Sequence, residues 1–378
     1  MKEIKLTLPQ RMLFALLKAA LQEQEPEVSL FEQATENDWK ECSRLSTQQG
    51  VVIMAWDGIV RLPSSLQPPQ ELKIAWALAV EKYERKYQHY CEVVCRLSAY
   101  YRQYDIQTLQ LKGVGFSTLY PVPSHREGGD IDIYTYSASP EKLTDQEAND
   151  LANRLVEQHG VSVEYDRWEK HSLFIYRGIP VENHRYFLDI ERSKLAQQMD
   201  QFLKDKICPQ SVELLPGKHI LIPDPAFNTL FIAFHTIQHF GYGLAIHHLC
   251  DWACILKHYG LQLPVELTDA RFLEGIAAMT ELCNRYLGTC VPVSGGEKLA
   301  EEMMYEMLYP FDVEAYPKST PWDFLKFKVK RFIYTVKVKN RILYTPLWRN
   351  PVFWNKIKKT IVWHLRSPKR MITQTKEE

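Results

Sequence analysis

The stretch Gly128-Gly129-Asp130-Ile131-Asp132-Ile133-Tyr134 alternates carboxylates with branched apolar side chains. Strands disfavour aspartate, so two of them on one strand face call for a reason. In extended backbone, residues i and i+2 share a face about 6.5–7 Å apart. Asp130 and Asp132 therefore project together, while Ile131 and Ile133 enter the core. Two carboxylates that close raise each other's pKa unless a cation neutralises them. Hard divalent ions such as Mg²⁺ (or Mn²⁺) take carboxylate oxygens together with substrate phosphates. Paired ions clamp the attacking and leaving oxygens of a phosphoryl transfer. The competing explanation is a solvated strand edge on which Asp130 caps the turn.

Upstream, Lys112-Gly113-Val114-Gly115 lies where a strand hands over to a helix. Gly113 and Gly115 let backbone amides approach a phosphate, and a helix start adds a favourable dipole. Lys112 reaches toward the same anion, so these three are candidates to receive a triphosphate. Arg126, just before the glycines, is either a phosphate contact or an exposed loop arginine.

Histidines form the other chemical cluster. His235 and His239 stand at i, i+4 and so share a helix face. Their segment lacks the Glu of a HExxH protease. His247, His248 and Asp251 superficially resemble the H…HD metal pattern of phosphohydrolases. Packed helical histidines are the plainer explanation, and help in holding a nucleotide or acceptor is a third.

Around these residues the chain reads as helical, then strand-rich, then helical. Apolar spacing predicts a helix over 8–24, and a long one runs from about Glu71 to Tyr104 after the proline-rich loop 63–70. IQTLQLKG and DIDIYTYS read as strands, 141–159 as an acidic helix, and SLFIYRG with IPVENHRYFLDI as a hairpin about Gly178 and Pro180. Helices resume at Pro225 and continue to about Pro310. The expected organisation is a helical region over 1–104, a sheet core over 105–192, a helical domain over 193–320 and a basic aromatic tail over 321–378.

Composition bounds the rest. With 378 residues, 46% hydrophobic and 24% charged, the chain has the balance of a globular protein. No secretory signal or stretch of spanning length is evident, so a cytoplasmic protein is expected, peripheral to the inner face of a membrane if the tail binds there. The eight cysteines include two pairs spaced by four within helical segments, which favours buried thiols over a zinc knuckle. Net charge is zero, yet Phe324 to Thr375 holds fourteen Lys and Arg and no Asp or Glu, leaving 31 basic against 44 acidic residues in 1–323. That tail, interleaved with Trp, Tyr and Phe, suits docking on the acidic body first. An anionic membrane surface, met through 324–370, ranks second. Nucleic acid ranks third.

The run LKG, a short helix ending LYP, an Arg, and then GDIDIY resembles the nucleotidyltransferase superfamily, and more narrowly an uncharacterised bacterial nucleotidyltransferase family often associated with surface-polysaccharide gene clusters. VENH (Glu182, His184) and FHTIQHF…HHLCDW (His235, His239, Asp251) extend the likeness over about residues 35–260. The resemblance implies an α+β fold, a small mixed β-sheet palm flanked by N-terminal and C-terminal helical parts. It implies Asp130 and Asp132 as ligands of Mg²⁺ (or Mn²⁺), with a third carboxylate from a neighbouring strand. Glu182 is the candidate, also for helping to deprotonate the acceptor, and Asp189 is the runner-up. An NTP is the implied substrate, with a sugar phosphate or another small metabolite as acceptor. The family's glycine pair stands here as Gly113-Val114-Gly115. That keeps open a non-catalytic nucleotide-binding protein of the same fold, beside a metal phosphohydrolase built on His235, His239, His248 and Asp251.

Overall fold

The computed structural model describes residues 4–165, 170–190, 194–240, 243–264, 267–309, 320–342 and 351–366. Its N-terminal part is α1 (Leu8–Gln22), α2 (Glu36–Gln48), α3 (Val52–Ile59) and the long α4 (Gln70–Arg102). Next come β1 (Ile106–Gln110), α5 (Gly113–Ser117), β2 (Ile131–Ser137), α6 (Asp145–Gln158), β3 (Val163–Tyr165), β4 (His171–Tyr176) and β5 (Ile179–His184). Then follow α7 (Lys194–Asp205), β6 (Gln210–Leu215), β7 (Lys218–Ile222), α8 (Pro225–His239), α9 (Ile246–Tyr259), α10 (Ala270–Leu287) and α11 (Glu297–Leu308), with α12 (Pro321–Ile342) and α13 (Pro351–Arg366) in the tail.

The fold is mixed α+β, with helical parts flanking a seven-stranded sheet of order β3-β4-β5-β2-β1-β7-β6. The β1/β2 and β4/β5 pairs are antiparallel, while β2 runs parallel to β5 and β1 parallel to β7. Alternation along the strands assigns the two faces. Ile106, Ile131, Ile133 and Val181 pack with α4 and α6 side chains such as Val94, Leu97, Ala152 and Leu155. Leu109, Leu111 and Tyr134 turn the other way into the larger core of α1, α3 and α8 to α11. Asp132 sits between Ile131 and Ile133 in the strand, so it faces that helical body rather than α4 and α6.

The β2–β5 pairing is locked from behind. Asn183 is fully buried; its Oδ1 accepts from Thr135 Oγ1 at 2.9 Å and from Asn149 Nδ2 at 3.0 Å, and its Nδ2 donates to Asn153 Oδ1 at 3.0 Å. Because a shift of one residue would turn every side chain to the wrong face, this amide network pins the register that the opposite face needs. Asn183→Ala strands several buried polar groups, each costing about 1–3 kcal/mol. We expect a total loss of about 2–4 kcal/mol, read as a lower urea midpoint at unchanged slope.

Strands β6 and β7 fall within 193–320, read from the sequence as helical. They extend the sheet past β1, joined by a turn whose Gly217 has φ +70°. In the tail, α12 docks on the body: Phe327 and Thr335 are buried, and the Tyr334 hydroxyl donates to Glu306 Oε2 at 3.2 Å. Residues 343–350 and 367–370 of the proposed membrane-facing segment lie outside the described residues. No helix among those described is long and apolar enough to cross a membrane. All eight cysteines are free thiols, six of them buried.

Candidate active site

Asp130 precedes β2, Asp132 is its second residue, and Glu182 stands directly opposite Asp132 in the parallel register with β5. One carboxylate oxygen from each of the three lies within 4.8 Å of the others. Asp189, the runner-up, lies past the end of β5 and does not belong to that converging group among the described residues.

Several elements aim these oxygens. Gly128 and Gly129 lead into Asp130, and their carbonyls are held from α4: Lys86 Nζ donates to Gly128 O and the Tyr90 hydroxyl to Gly129 O, both at 2.8 Å. Asp132 is almost fully buried, and its Oδ1 meets Lys112 Nζ at 2.9 Å and His184 Nε2 at 2.9 Å. His184 Nδ1 lies 3.2 Å from Tyr186 O, so an imidazolium there donates at both nitrogens. Glu182 is flanked by His184 Nε2 at 3.5 Å and His171 Nε2 at 3.6 Å.

The electrostatics divide the trio. Burial and then the Asp132 charge push the Asp130 carboxyl up to about 6. Burial opposes ionisation of Asp132 too, but Lys112 and His184 more than offset it and hold this carboxyl well below the usual range. Burial likewise acts against Glu182, yet the His184 hydrogen bond leaves it below its ordinary value. Burial drags on His184, and its bond to Asp132 nonetheless raises it. The Lys170 ammonium, half-buried nearby, is lowered by burial and by the Lys112 charge. The trio thus keeps one carboxyl whose charge is disfavoured by burial and by Asp132 and only partly offset by Lys112, a condition that a hard cation relieves. Three hard oxygens converging beside a cavity fit Mg²⁺ or Mn²⁺.

That cavity measures about 330 Å³ and is lined by Lys112, Gly113, Gly128, Asp130 and Asp132 on the sheet side and by His235, His247 and His248 on the helical side. Of the proposed phosphate group, Lys112 is ion-paired to Asp132, and Gly113 opens α5 at φ +57° on the cavity wall. Gly115 turns elsewhere: a Cβ there would meet Gln110 Cβ at 2.7 Å and Gln110 O at 3.0 Å, so the glycine admits α5 against β1.

Arg126 is largely rather than fully withdrawn from solvent, and it is not an exposed loop arginine. Its Nε and Nη2 fork onto Asp251 at 2.9 and 2.8 Å, and the Tyr120 hydroxyl donates to the same carboxylate at 2.5 Å. Asp251 is therefore committed to Arg126 and Tyr120 and joins none of the converging metal-capable groups among the described residues. His235, His239 and His248 do converge, without it.

Next to Arg126, His125 bridges two carboxylates, with Nδ1 2.8 Å from Asp57 and Nε2 3.1 Å from Glu84. Burial lowers its pKa, but Asp57 and then Glu84 raise it above the ordinary 6.5. A folded-state value above the unfolded one stabilises the fold fully below about pH 6.5, and this is lost as pH rises through the folded value. His125→Gln is expected to cost more stability at about pH 6 than at about pH 9. A penalty independent of pH in chemical denaturation would mean that the imidazole is neutral here.

Sequence reasoning missed Lys86, Tyr90, Lys170 and His171, and it gave His184 no role. Only the tyrosines at 83, 87 and 90 on one face of α4 carried a readable signal.

Asp132 and Glu182 on adjacent parallel strands, with Asp130 just before the first of them, bring three carboxylates together beside a cavity whose far wall is helical. Residues 35–288 match the family model described as an uncharacterised nucleotidyltransferase, and the chain belongs to that family. Comparison with curated proteins and with solved structures gave no match.

Proposed function

We propose that the chain transfers a nucleoside monophosphate from an NTP to a small acceptor, with Asp130, Asp132 and Glu182 holding the divalent ion. The observation that carries this is the Asp132–Glu182 register, which with Asp130 gathers three carboxylates, two of which, Asp130 and Asp132, line the cavity. A bound Mg²⁺ or Mn²⁺ supplies neutralisation of the triphosphate and of the leaving pyrophosphate. The chain's own part is positioning. His184 and Lys112 orient Asp132, and Lys86 and Tyr90 fix the turn that presents Asp130. Lys112 and the Gly113 backbone face the phosphate-sized space. Glu182, held charged by its histidines, suits cation ligation better than proton capture. Much of the rate enhancement then comes from orientation and charge. A sugar phosphate is the preferred acceptor, in keeping with the polysaccharide setting of the resembling family. Pyrophosphate release from an NTP panel, with Mg²⁺ and candidate acceptors, tests the reading. Release that persists in Asp132→Asn would overturn it.

A nucleotide-binding protein without turnover is the second reading, and the Lys112–Asp132 pair favours it, because an ammonium already neutralises the carboxylate. The wild type separates the two: a transferase releases pyrophosphate on adding a suitable acceptor, while a pure binder takes up Mg²⁺–NTP and releases none.

A further inference from the structure

The helical wall of the cavity carries a second cluster that the carboxylate chemistry does not use. His235 and His239 stand one turn apart on α8, and His248 comes from the first turn of α9. Ring centroids are 4.5 Å apart for His235–His239, 4.4 Å for His239–His248 and 5.8 Å for His235–His248. One nitrogen from each lies within 4.8 Å of the other two. His247, the fourth imidazole, turns its Nδ1 to Gln49 O at 3.2 Å and stands outside the trio.

From this geometry we propose that His235, His239 and His248 form a binding site for a divalent transition metal ion of the zinc class, with its open coordination position toward the cavity. Imidazole nitrogens suit Zn²⁺ and its neighbours, whereas Mg²⁺ prefers carboxylate oxygen. Three protein ligands with a vacant fourth position are the arrangement of reactive rather than structural zinc. His235 and His248 both line the cavity, which places the vacancy there. His248 Nδ1 lies 3.3 Å from Ala245 O and 3.1 Å from Ala245 N. The Ala245 N–H donates to Nδ1, so ligation through Nε2 takes the Nδ1–H tautomer, which gives up that bond and donates to the Ala245 carbonyl instead, the outer-shell contact usual for metal-bound histidine. The Lys112 charge opposes a dication here, and that ammonium is itself ion-paired to Asp132.

An ion at this place puts positive charge across the cavity from Asp130 and Asp132, where it takes an anionic oxygen of the bound substrate. That last step rests on the transferase reading, while metal binding itself does not. The test uses the full chain after chelation. Co²⁺ is followed by its visible spectrum and Zn²⁺ by calorimetry. The Asp130→Asn/Asp132→Asn double variant is expected to keep Zn²⁺ binding within about tenfold of the wild type, the loss reflecting Lys112 without its counter-charge. His235→Asn and His239→Asn are each expected to weaken it more than about a hundredfold, beyond the usual effect of losing an outer-shell contact. X-ray absorption on the zinc-loaded wild type, which no variant's folding affects, should show three imidazoles and no sulfur. Unchanged affinity in both histidine variants, or sulfur ligation, overturns the site and leaves a packed imidazole cluster. Inorganic phosphate should shift the Co²⁺ spectrum, and an unresponsive spectrum overturns the anion step. Failure of the transferase reading appears separately, as Mg²⁺–NTP binding that Asp130→Asn leaves intact.

Discussion

Asp130→Asn is expected to stabilise the metal-free protein while removing its activity. The Asp130 carboxyl is pushed up to about 6 by burial and by the charge of Asp132, against an ordinary value of 3.8. Between those values the folded state binds the extra proton, so stability falls as pH rises from about 4 to about 6 and stays lowered above. Asparagine fills the same space without the charge. The variant should therefore gain about 2 kcal/mol over the wild type near pH 8, and the gain should vanish near pH 4. Saturating Mg²⁺ should raise the wild-type melting temperature, since a ligand at a hundred times its Kd contributes about 2.7 kcal/mol, and should leave the variant unmoved. Nucleotide-dependent pyrophosphate release should drop by about 10²–10³-fold or more. Thermal melts in chelator and in Mg²⁺, at two pH values, check each part. A variant less stable than the wild type near pH 8, or one still stabilised by Mg²⁺, would sink the assignment of Asp130 as a strained cation ligand. Stability stored against function in this way marks a site that is not arranged for folding alone.

How much of this was legible in the sequence depends on distance along the chain. Alternation alone placed Asp130 and Asp132 on one face and Ile131 and Ile133 on the other, because side-chain direction in a strand is a local property. The β4–β5 hairpin and the long α4 were readable for the same reason, through Gly178-Pro180 and through helical spacing. Strands β6 and β7 were also written locally, in QSVELLPGKHILIP, but they are short and were absorbed into the helical part that follows. What could not be read is tertiary. Nothing in the sequence says that Glu182 pairs opposite Asp132. Nor does it say that Lys86 and Tyr90, roughly forty residues upstream, tether the glycine turn, or that Lys112 turns its ammonium onto Asp132. Gly115 shows the limit of motif reading: its type matched a phosphate loop, but the space it leaves is filled by Gln110 and Ile222. The sequence named His248 and Asp251 beside the i, i+4 pair, and the packing of α9 on α8 keeps His248 with them while Asp251 turns to Arg126.

The Arg126–Asp251 pair is where the two halves depend on each other most, and Arg126→Ala is expected to cost about 3–5 kcal/mol. Arg126 lies in the loop just before the glycine turn, and Asp251 lies in α9, 125 residues away. Both side chains are largely buried, 11% and 7% exposed, so removing the guanidinium leaves a carboxylate in low dielectric with only the Tyr120 hydroxyl. The same guanidinium lies 5.4 Å from the centre of the Phe116 ring and donates to Gly113 O at 3.4 Å. Losing it therefore loosens both the start of α5 and the approach to Asp130. Lysine is a poor substitute because it cannot supply the fork or the stacking plane, so Arg126→Lys should fall between wild type and alanine. Removing both charges should recover part of the loss: Arg126→Leu with Asp251→Leu exchanges a buried ion pair for apolar volume, which is often close to neutral. Chemical denaturation of the two single leucine variants and the double variant closes a double-mutant cycle, and a coupling of at least about 2 kcal/mol is expected. Turnover should not follow stability back in the double variant, because Gly113 and the turn before Asp130 remain untethered. If Arg126→Ala costs no more than an ordinary surface change, about 0.5 kcal/mol, the two halves are held together elsewhere and the cavity between sheet and helices does not depend on this pair.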